Sequence, residues 1–254
     1  RGLDKYSAPQ WLGARAHRRF HVMAKPAGSA CNLDCTYCFY LSKQSLPGGP
    51  GGGHMSEEIL ESFIRDYIES VTADEVVFSW QGGEPTLMGL GFFEKVVALQ
   101  TKHAKPGQRI ENDLQTNGTL LDDDWARFLK QQRFLVGLSI DGPREIHDHC
   151  RITKHAEPTF DQVFAAAKML QKHGVRFNTL TCVHRYNASR PLDVYRFLRR
   201  EIGSTYIQFI PIVEPRDFRT TAPQSWEPSQ LPVVGPPRSR PGHPASVVTD
   251  WSVD

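Results

Sequence analysis

The sequence predicts an α/β fold in which βα units repeat around a parallel sheet, and two observations lead there. Between Phe20 and about Glu214, short apolar runs alternate with segments of helical spacing. A strand, a crossover helix and a second parallel strand is the unit that such alternation builds. The flanks have a different texture. Residues 1–19 lack sustained periodicity and read as an extension. Residues 215–254 are rich in Pro, Ser, Arg and Gly and bury too little apolar surface to fold alone. The expected organisation is therefore an extension (1–19), one folded unit (20–214) and a tail (215–254) that is either a disordered linker or the truncated start of a further domain.

Six candidate strands follow in order: Phe20 to Lys25, Glu75 to Trp80, Arg109 to Gln115, Phe134 to Ile140, Arg176 to Val183 and Thr205 to Val213. Helices are expected between them. Ser56 followed by two glutamates is an N-cap signal, opening a run with Ile59, Phe63, Tyr67 and Ile68 on one face. Asp122 can cap a helix carrying Trp125, Phe128 and Leu129. Thr159 or Asp161 can cap one carrying Phe164, Ala167, Met169 and Leu170, which should end at Gly174 in a left-handed turn. These apolar stripes read as core packing. The Gly-rich PGGPGGGH at Pro47 to His54 reads as a flexible loop between the first strand and first helix.

Charge excludes some partners. With 30 Lys+Arg against 28 Asp+Glu the formal charge is +2, so the overall balance makes no case for nucleic acid or acidic lipid, and the run His17-Arg18-Arg19 reads as a solvated face. No apolar stretch nears the roughly 18 residues that suggest a membrane helix, and RGLDKYSAPQ has none of the parts of a secretory signal. A cytoplasmic setting is expected, although a first residue of Arg rather than Met leaves a removed leader open.

The five cysteines are unevenly spread: CNLDCTYCFY holds Cys31, Cys35 and Cys38 as C-x3-C-x2-C. This stretch follows the first strand, at the carboxyl end of the sheet, where parallel α/β folds put their chemistry. Three thiolates at such spacing can share an inorganic centre. A closed zinc site needs a fourth ligand, and His21 or His54 would have to be drafted without a supporting spacing. An iron–sulfur cubane fits better, because three thiolates leave one iron for another ligand. A disulfide reading is poor for an odd number in a reducing compartment. On the motif alone, zinc and a chance grouping stay open beside the cluster. Cys150 is expected in a loop and Cys182 in the fifth strand as a small buried hydrophobe. Other residues are ambiguous by themselves. Gly82-Gly83 lets a backbone approach a ligand or makes a tight turn, with Gln81 and Glu84 favouring the ligand. Ser139 alone reads as a core serine, and Arg151, in the loop HDHCRIT, as a surface arginine able to fork onto a carboxylate. Asn117 and Asp141 read either as supports behind the ligand contacts or as turn residues, and their turn chemistry alone could explain them.

CNLDCTYCFY, QGGEPTL (81–87), LQTNGTLL (114–121) and VGLSIDGP (136–143), in this order and spacing, resemble the radical S-adenosylmethionine superfamily and, more narrowly, the anaerobic sulfatase-maturating enzymes. The resemblance spans about Phe20 to Glu214. It implies a partial (β/α)6 TIM-like barrel, a [4Fe–4S] cluster on Cys31, Cys35 and Cys38, and S-adenosyl-L-methionine chelating the open iron. It further implies that the main chain of Tyr37 meets the adenine. The methionine amino group would lie at Gly82 and Gly83 between Gln81 and Glu84, with Pro85 stiffening the turn. Ser139 would bond the ribose, Arg151 would grip the methionine carboxylate, and Val213 would touch the adenine or simply fill core. Tyr40 would help receive the peptide or pack. The implied reaction is generation of a 5′-deoxyadenosyl radical that takes a β-hydrogen from a Cys or Ser of a target sulfatase on the way to Cα-formylglycine. A flavodoxin or ferredoxin is the implied electron donor. A fully apolar barrel lining is expected to shelter that radical.

One departure stands out: the family continues into a cysteine-rich SPASM-type domain with two further clusters and an aspartate base, whereas no cysteine follows Cys182 here. The base is therefore expected beyond Asp254. Two other readings remain: a radical maturase forming thioether or other peptide crosslinks, and a non-catalytic zinc-stabilised binding module.

Overall fold

The structure, a computed structural model, describes residues 20–38, 53–215 and 252–253. The extension 1–19, Tyr40, most of the Gly-rich segment and residues 216–251 lie outside the described residues. Six strands form one sheet in sequential order: β1 (Val22–Ala24), β2 (Glu75–Trp80), β3 (Arg109–Thr116), β4 (Leu135–Ser139), β5 (Arg176–Val183) and β6 (Ile207–Pro211). Every adjacent pair is parallel. β1 and β6 are the two ends of the sheet, so the barrel is a half-open one, as expected. Beyond it, Glu214–Pro215 (β7) pairs with Ser252–Val253 (β8).

The crossovers carry α1 (Glu57–Ser70), α2 (Leu90–His103), α3 (Asp123–Gln131), α4 (Arg144–Cys150) and α5 (Phe160–Lys172), then α6 (Arg185–Ala188) and α7 (Pro191–Arg196). Two caps match the sequence: the Ile59 N–H donates to Ser56 Oγ at 3.3 Å, and the Trp125 N–H to Asp122 Oδ1 at 2.9 Å. The α1 stripe holds at Tyr67 and Ile68, which are buried, and is shifted by one residue in the first turns. Leu60, Ile64 and Ile68 are fully buried, whereas Ile59 is 59% exposed. Tyr67 fixes that rotation, because its hydroxyl donates to the carbonyls of Phe20 and Val77. Neither Thr159 nor Asp161 caps α5 with its side chain. Asp148 does so from α4, accepting from the N–H groups of both Thr159 (2.9 Å) and Phe160 (2.8 Å). Gly174 ends the helix at φ +64°, in the left-handed region that favours glycine.

The pleat divides the sheet's chemistry. Val76, Phe78 and Trp80 of β2 face the helices and are at most 1% exposed. Phe78 stacks on Trp80, Trp80 meets Phe93 edge to face, and Phe93 does the same with Trp125 and Phe134. A polar pair lies within this layer and is satisfied. Asn112 Oδ1 accepts from Trp80 Nε1 and Gln100 Nε2, and its amide donates back to Gln100 Oε1, each at 2.9 Å. The opposite face is not the apolar lining expected. There Ser79 Oγ meets His21 Nε2 at 2.6 Å and donates to Asp113 Oδ2 at 2.5 Å. Burial pushes the Asp113 carboxyl up, against the Ser79 bond and His21. Helices cover only one side of the sheet, and hydroxyls and carboxylates occupy the other.

Candidate active site

The cysteine loop leaves β1 and is sewn to the chain after α4. The Asp34 N–H donates to the Ile152 carbonyl at 2.8 Å, the Thr36 N–H to the Cys150 carbonyl at 2.9 Å, and Leu33 bridges Thr153. A turn closed by the Cys38 N–H on the Cys35 carbonyl, 2.9 Å, brings the last two cysteines round. Cys35 is buried, and Cys31 and Cys38 are half-buried; none is in a disulfide. Burial raises Cys31 to about 11 and pushes Cys35 higher, with the neighbouring cysteines adding to both shifts. Cys31 and Cys35 are therefore neutral in the bare protein, and any metal must displace their protons.

QGGE comes from the end of β2 and locks onto this loop. The Gly83 N–H donates to the Gly28 carbonyl at 2.9 Å and the Glu84 N–H to the Ala30 carbonyl at 2.8 Å. A Cβ on Gly83 would sit 2.0 Å from the Ala30 oxygen, and one on Gly82, at φ +127°, 2.8 Å from the Gly28 oxygen. The room expected for a ligand is thus partly taken by the protein's own backbone, which is what forbids a side chain here. Glu84 is fully buried. Its Oε1 accepts from the Thr86 N–H and from the hydroxyls of Thr86 and Thr116, and its Oε2 from the Asn117 N–H at 2.7 Å. Desolvation outweighs these bonds, and its pKa lies above the ordinary carboxylate value.

A second network lies behind the loop. Asp141, at 0% exposure, accepts the Tyr37 hydroxyl at 2.6 Å and Arg151 Nε at 2.9 Å on Oδ2, and Arg151 Nη2 at 3.3 Å and the Cys182 N–H at 3.0 Å on Oδ1. Burial raises the carboxyl, but Arg151, His147 and these bonds prevail and its pKa is lowered. Arg151 is itself 7% exposed and lies 5.6 Å from the Tyr37 ring. A surface arginine is thereby ruled out, and the carboxylate it forks onto is Asp141. Its segment is also not wholly a loop: His147 to Cys150 complete α4, and Cys150 is a buried helix-end residue. Tyr37 stacks on His184, centroids 5.8 Å apart. The His184 imidazole caps α6 by accepting from Asn187, which leaves Nε2 as a buried polar atom with no hydrogen-bond partner among the described residues.

Other expectations resolve as follows. Ser139 is the last residue of β4, buried on the polar face, and among the described residues its hydroxyl makes no hydrogen bond. Gln81 donates its N–H to the Ala24 carbonyl, beside the loop's start. Val213 lies past the end of β6 and is 47% exposed, so it is not core. Cys182 is on β5 but half-buried, its thiol raised to about 11 by burial. His21 sits at the opposite end of β1 from the loop, bonded to Ser79, and His54 is exposed. Neither joins the cysteines. Among the described residues no three His, Cys, Asp or Glu side chains converge as one ion requires. A cubane asks for something different, since each thiolate binds its own iron corner. Three closely spaced thiols, with an N–H donor already 3.4 Å from Cys31 Sγ, fit that group.

A family model described as the radical SAM superfamily matches residues 26–198. The chain belongs to the radical SAM superfamily. The matched span of this radical SAM barrel runs from the cysteine loop through α7. The serine-type anaerobic sulfatase-maturating enzyme of Bacteroides thetaiotaomicron is 47% identical over 194 residues, covering 76% of this chain and 46% of that protein. The cysteine-type enzyme of Clostridium perfringens is 44% identical over 195 residues, covering 76% and 52%. A solved structure of native anSMEcpe with bound AdoMet and Cp18Cys peptide superposes with a TM-score of 0.70 at 43% identity, covering 76% of this chain and 51% of that one. The chain thus spans about half the length of these relatives. No described helix is long and apolar enough to cross a membrane.

Asp141 reads in the sequence as a turn residue or a support behind the ligand contacts; Gly142 does adopt φ +142°, and the carboxylate is the hub of the buried network. His184 and Asn187 carried no motif. A charged residue directly after a strand's carboxyl end was the one available signal.

Proposed function

We propose that this chain is the catalytic barrel of an anaerobic sulfatase-maturating enzyme that oxidises a Cys or Ser of a target sulfatase to Cα-formylglycine. The observation that carries the reading is the loop of Cys31, Cys35 and Cys38 at the carboxyl end of the sheet, locked to QGGE, in a chain 47% and 44% identical to a serine-type and a cysteine-type maturase. The three thiolates would hold a [4Fe–4S] cluster, with S-adenosyl-L-methionine on the remaining corner. Bound there, the pair supplies one-electron cleavage of a carbon–sulfur bond to give a carbon radical.

The chain's own residues bind and orient. Gln81, Gly82 and Gly83 present backbone beside the loop for a cationic amine, and buried Glu84 holds that backbone through the N–H groups of Thr86 and Asn117. Among the described residues Arg151 Nη1 makes no hydrogen bond and can take a ligand carboxylate, while Asp141 holds Nε and Nη2. The free hydroxyl of Ser139 suits a ribose. Tyr37, clamped between Arg151 and His184, offers its main chain to the adenine, and exposed Val213 offers an apolar flank. On this reading a target sulfatase and a flavodoxin or ferredoxin electron donor are the partners, and none of the residues assigned above is the base. Cysteines outside disulfides, as these are, suit a reducing cytoplasm.

Anaerobic reconstitution tests the reading. Incorporation of about four irons per chain, with 5′-deoxyadenosine released on adding reductant and S-adenosylmethionine, is the expected result. Stoichiometric zinc without iron would instead establish the binding-module alternative. A peptide thioether made by the longer gene product would replace the sulfatase assignment.

A further inference from the structure

Asn117, at the turn after β3, does more than make that turn. Its side chain is 7% exposed, and every hydrogen-bonding position on its carboxamide is used. Oδ1 accepts from the Thr119 N–H at 3.0 Å and the Thr119 hydroxyl at 2.8 Å. The amide nitrogen donates to Asn32 Oδ1 at 2.9 Å and faces Cys31 Sγ at 3.8 Å. Asn32 closes the ring by donating to Thr119 Oγ1 at 2.8 Å.

This ring fixes which end of the carboxamide meets the sulfur. A backbone N–H can only donate, so the atom facing Thr119 N must be the oxygen. The NH2 end is then turned to Cys31. The backbone around it is held as well: the Asn117 N–H donates to Glu84 Oε2, and Gly118 at φ +80° packs so that a Cβ would lie 2.5 Å from Leu138 Cδ1.

We propose that Asn117 is a positioning and tuning residue whose carboxamide N–H donates to the Cys31 thiolate and raises the reduction potential of the cluster that Cys31 helps hold. The inference rests on the cluster reading above. Reduction adds one electron to the cluster, and part of the new negative charge falls on its thiolate sulfurs. A donor aimed at one of them stabilises the reduced state more than the oxidised state, so hydrogen bonds to sulfur raise the potential. The Leu33 N–H at 3.4 Å acts on the same sulfur but comes from backbone, which leaves Asn117 as the side-chain lever.

The test is an EPR-monitored dithionite titration of the reconstituted protein, in which dithionite supplies the one electron each cluster takes up. Asn117→Leu keeps the volume and removes the donor. Asn117→Ser is the second variant, too short to reach the sulfur. Thr119→Val leaves the backbone N–H that orients the carboxamide. The expected result is a midpoint shifted to more negative potential in both Asn117 variants and unshifted in Thr119→Val, with iron content equal to wild type. Equal midpoints in all four proteins would overturn the proposal. So would loss of iron in the Asn117 variants alone, which would make Asn117 a holder of the loop and not a tuner. Failure of the wild type to bind iron at all would sink the functional reading instead.

Discussion

The two faces of the sheet solve opposite problems. On the helix side, Phe78, Trp80 and Phe93 are at most 1% exposed and pack ring against ring, with one polar pair that is fully satisfied. At the carboxyl end, Asp141 and Arg151 are nearly as buried, yet they are charged and held by bonds that all converge on one carboxylate. The first arrangement is what folding rewards, because each buried ring adds to the hydrophobic term. The second costs desolvation at two ions, and replacing such a pair by apolar residues of similar volume is often neutral or stabilising. A buried ion pair placed directly behind the cysteine loop, with Tyr37 of that loop on the same carboxylate, is therefore understood best as a device for fixing geometry.

The sharpest way to break this comparison is at the cysteines. Replacing Cys31, Cys35 or Cys38 by Ala should abolish iron binding outright, measured by iron content after anaerobic reconstitution, while the helix-side layer keeps the fold intact by circular dichroism. Next in size come paired losses of stability. Trp80→Ala removes a fully buried ring and should cost about 3–5 kcal/mol in urea unfolding, with iron per folded chain unchanged. Asp141→Leu should cost a similar ~3–5 kcal/mol, because it strands Arg151 as an unpaired buried charge. The double variant Asp141→Leu, Arg151→Met should recover most of that loss and still bind S-adenosylmethionine poorly. If recovery of stability also restored binding, the pair would have no role in geometry.

How legible each face was in the sequence follows the same division. β2 and β5 were bounded correctly, Glu75–Trp80 and Arg176–Val183, because apolar runs ending at turn residues carry that information locally. α2 was missed: its N-cap is Gly89 at φ +78°, with no side-chain oxygen to announce a start. The HDHC end of α4 reads as loop because the helix buries only Ile146, His147 and Cys150, too little to show a stripe. The Cys31, Cys35 and Cys38 loop stands out in the sequence because its three thiols lie within eight positions directly after a strand. The partnership of Asp141 with Arg151 was not, because it depends on α4 folding the chain back between them, and neither residue type discloses a partner chosen by tertiary structure.

A pH series gives a smaller effect with a definite sign. His147 is fully buried, with Nε2 at 3.1 Å from Thr159 Oγ1, and burial, aided by Arg151 and opposed by Asp141, lowers its pKa from 6.5 to about 3. The unfolded chain then binds a proton that the folded protein refuses. Stability from this group is full above pH 6.5 and falls as pH drops toward 3, by at most about 1.4 kcal/mol per pH unit. Asp141, lowered below 3.8, adds a loss of the same sign only at the acid end. His147→Gln should flatten the slope of unfolding free energy between pH 6.5 and 4.5, and an unchanged slope would show that the imidazole is not the group responsible.

The smallest effect separates the two faces most cleanly. Ser139 and Leu138 are neighbours in β4, one on the polar face and one in the helix-side core, where Leu138 is 0% exposed. Ser139→Ala removes a hydroxyl that has no hydrogen bond among the described residues, so unfolding free energy should move by no more than about 0.5 kcal/mol. If that hydroxyl bonds the nucleotide, S-adenosylmethionine affinity should fall by about 2- to 10-fold, the value of one ordinary hydrogen bond, measured by equilibrium binding to the reconstituted protein. Leu138→Ala should do the reverse, costing about 2–5 kcal/mol of stability with affinity per folded molecule preserved. A serine whose loss changes neither quantity would mean that the polar face at β4 is merely wet, and that the ligand is gripped from the QGGE and Arg151 sides alone.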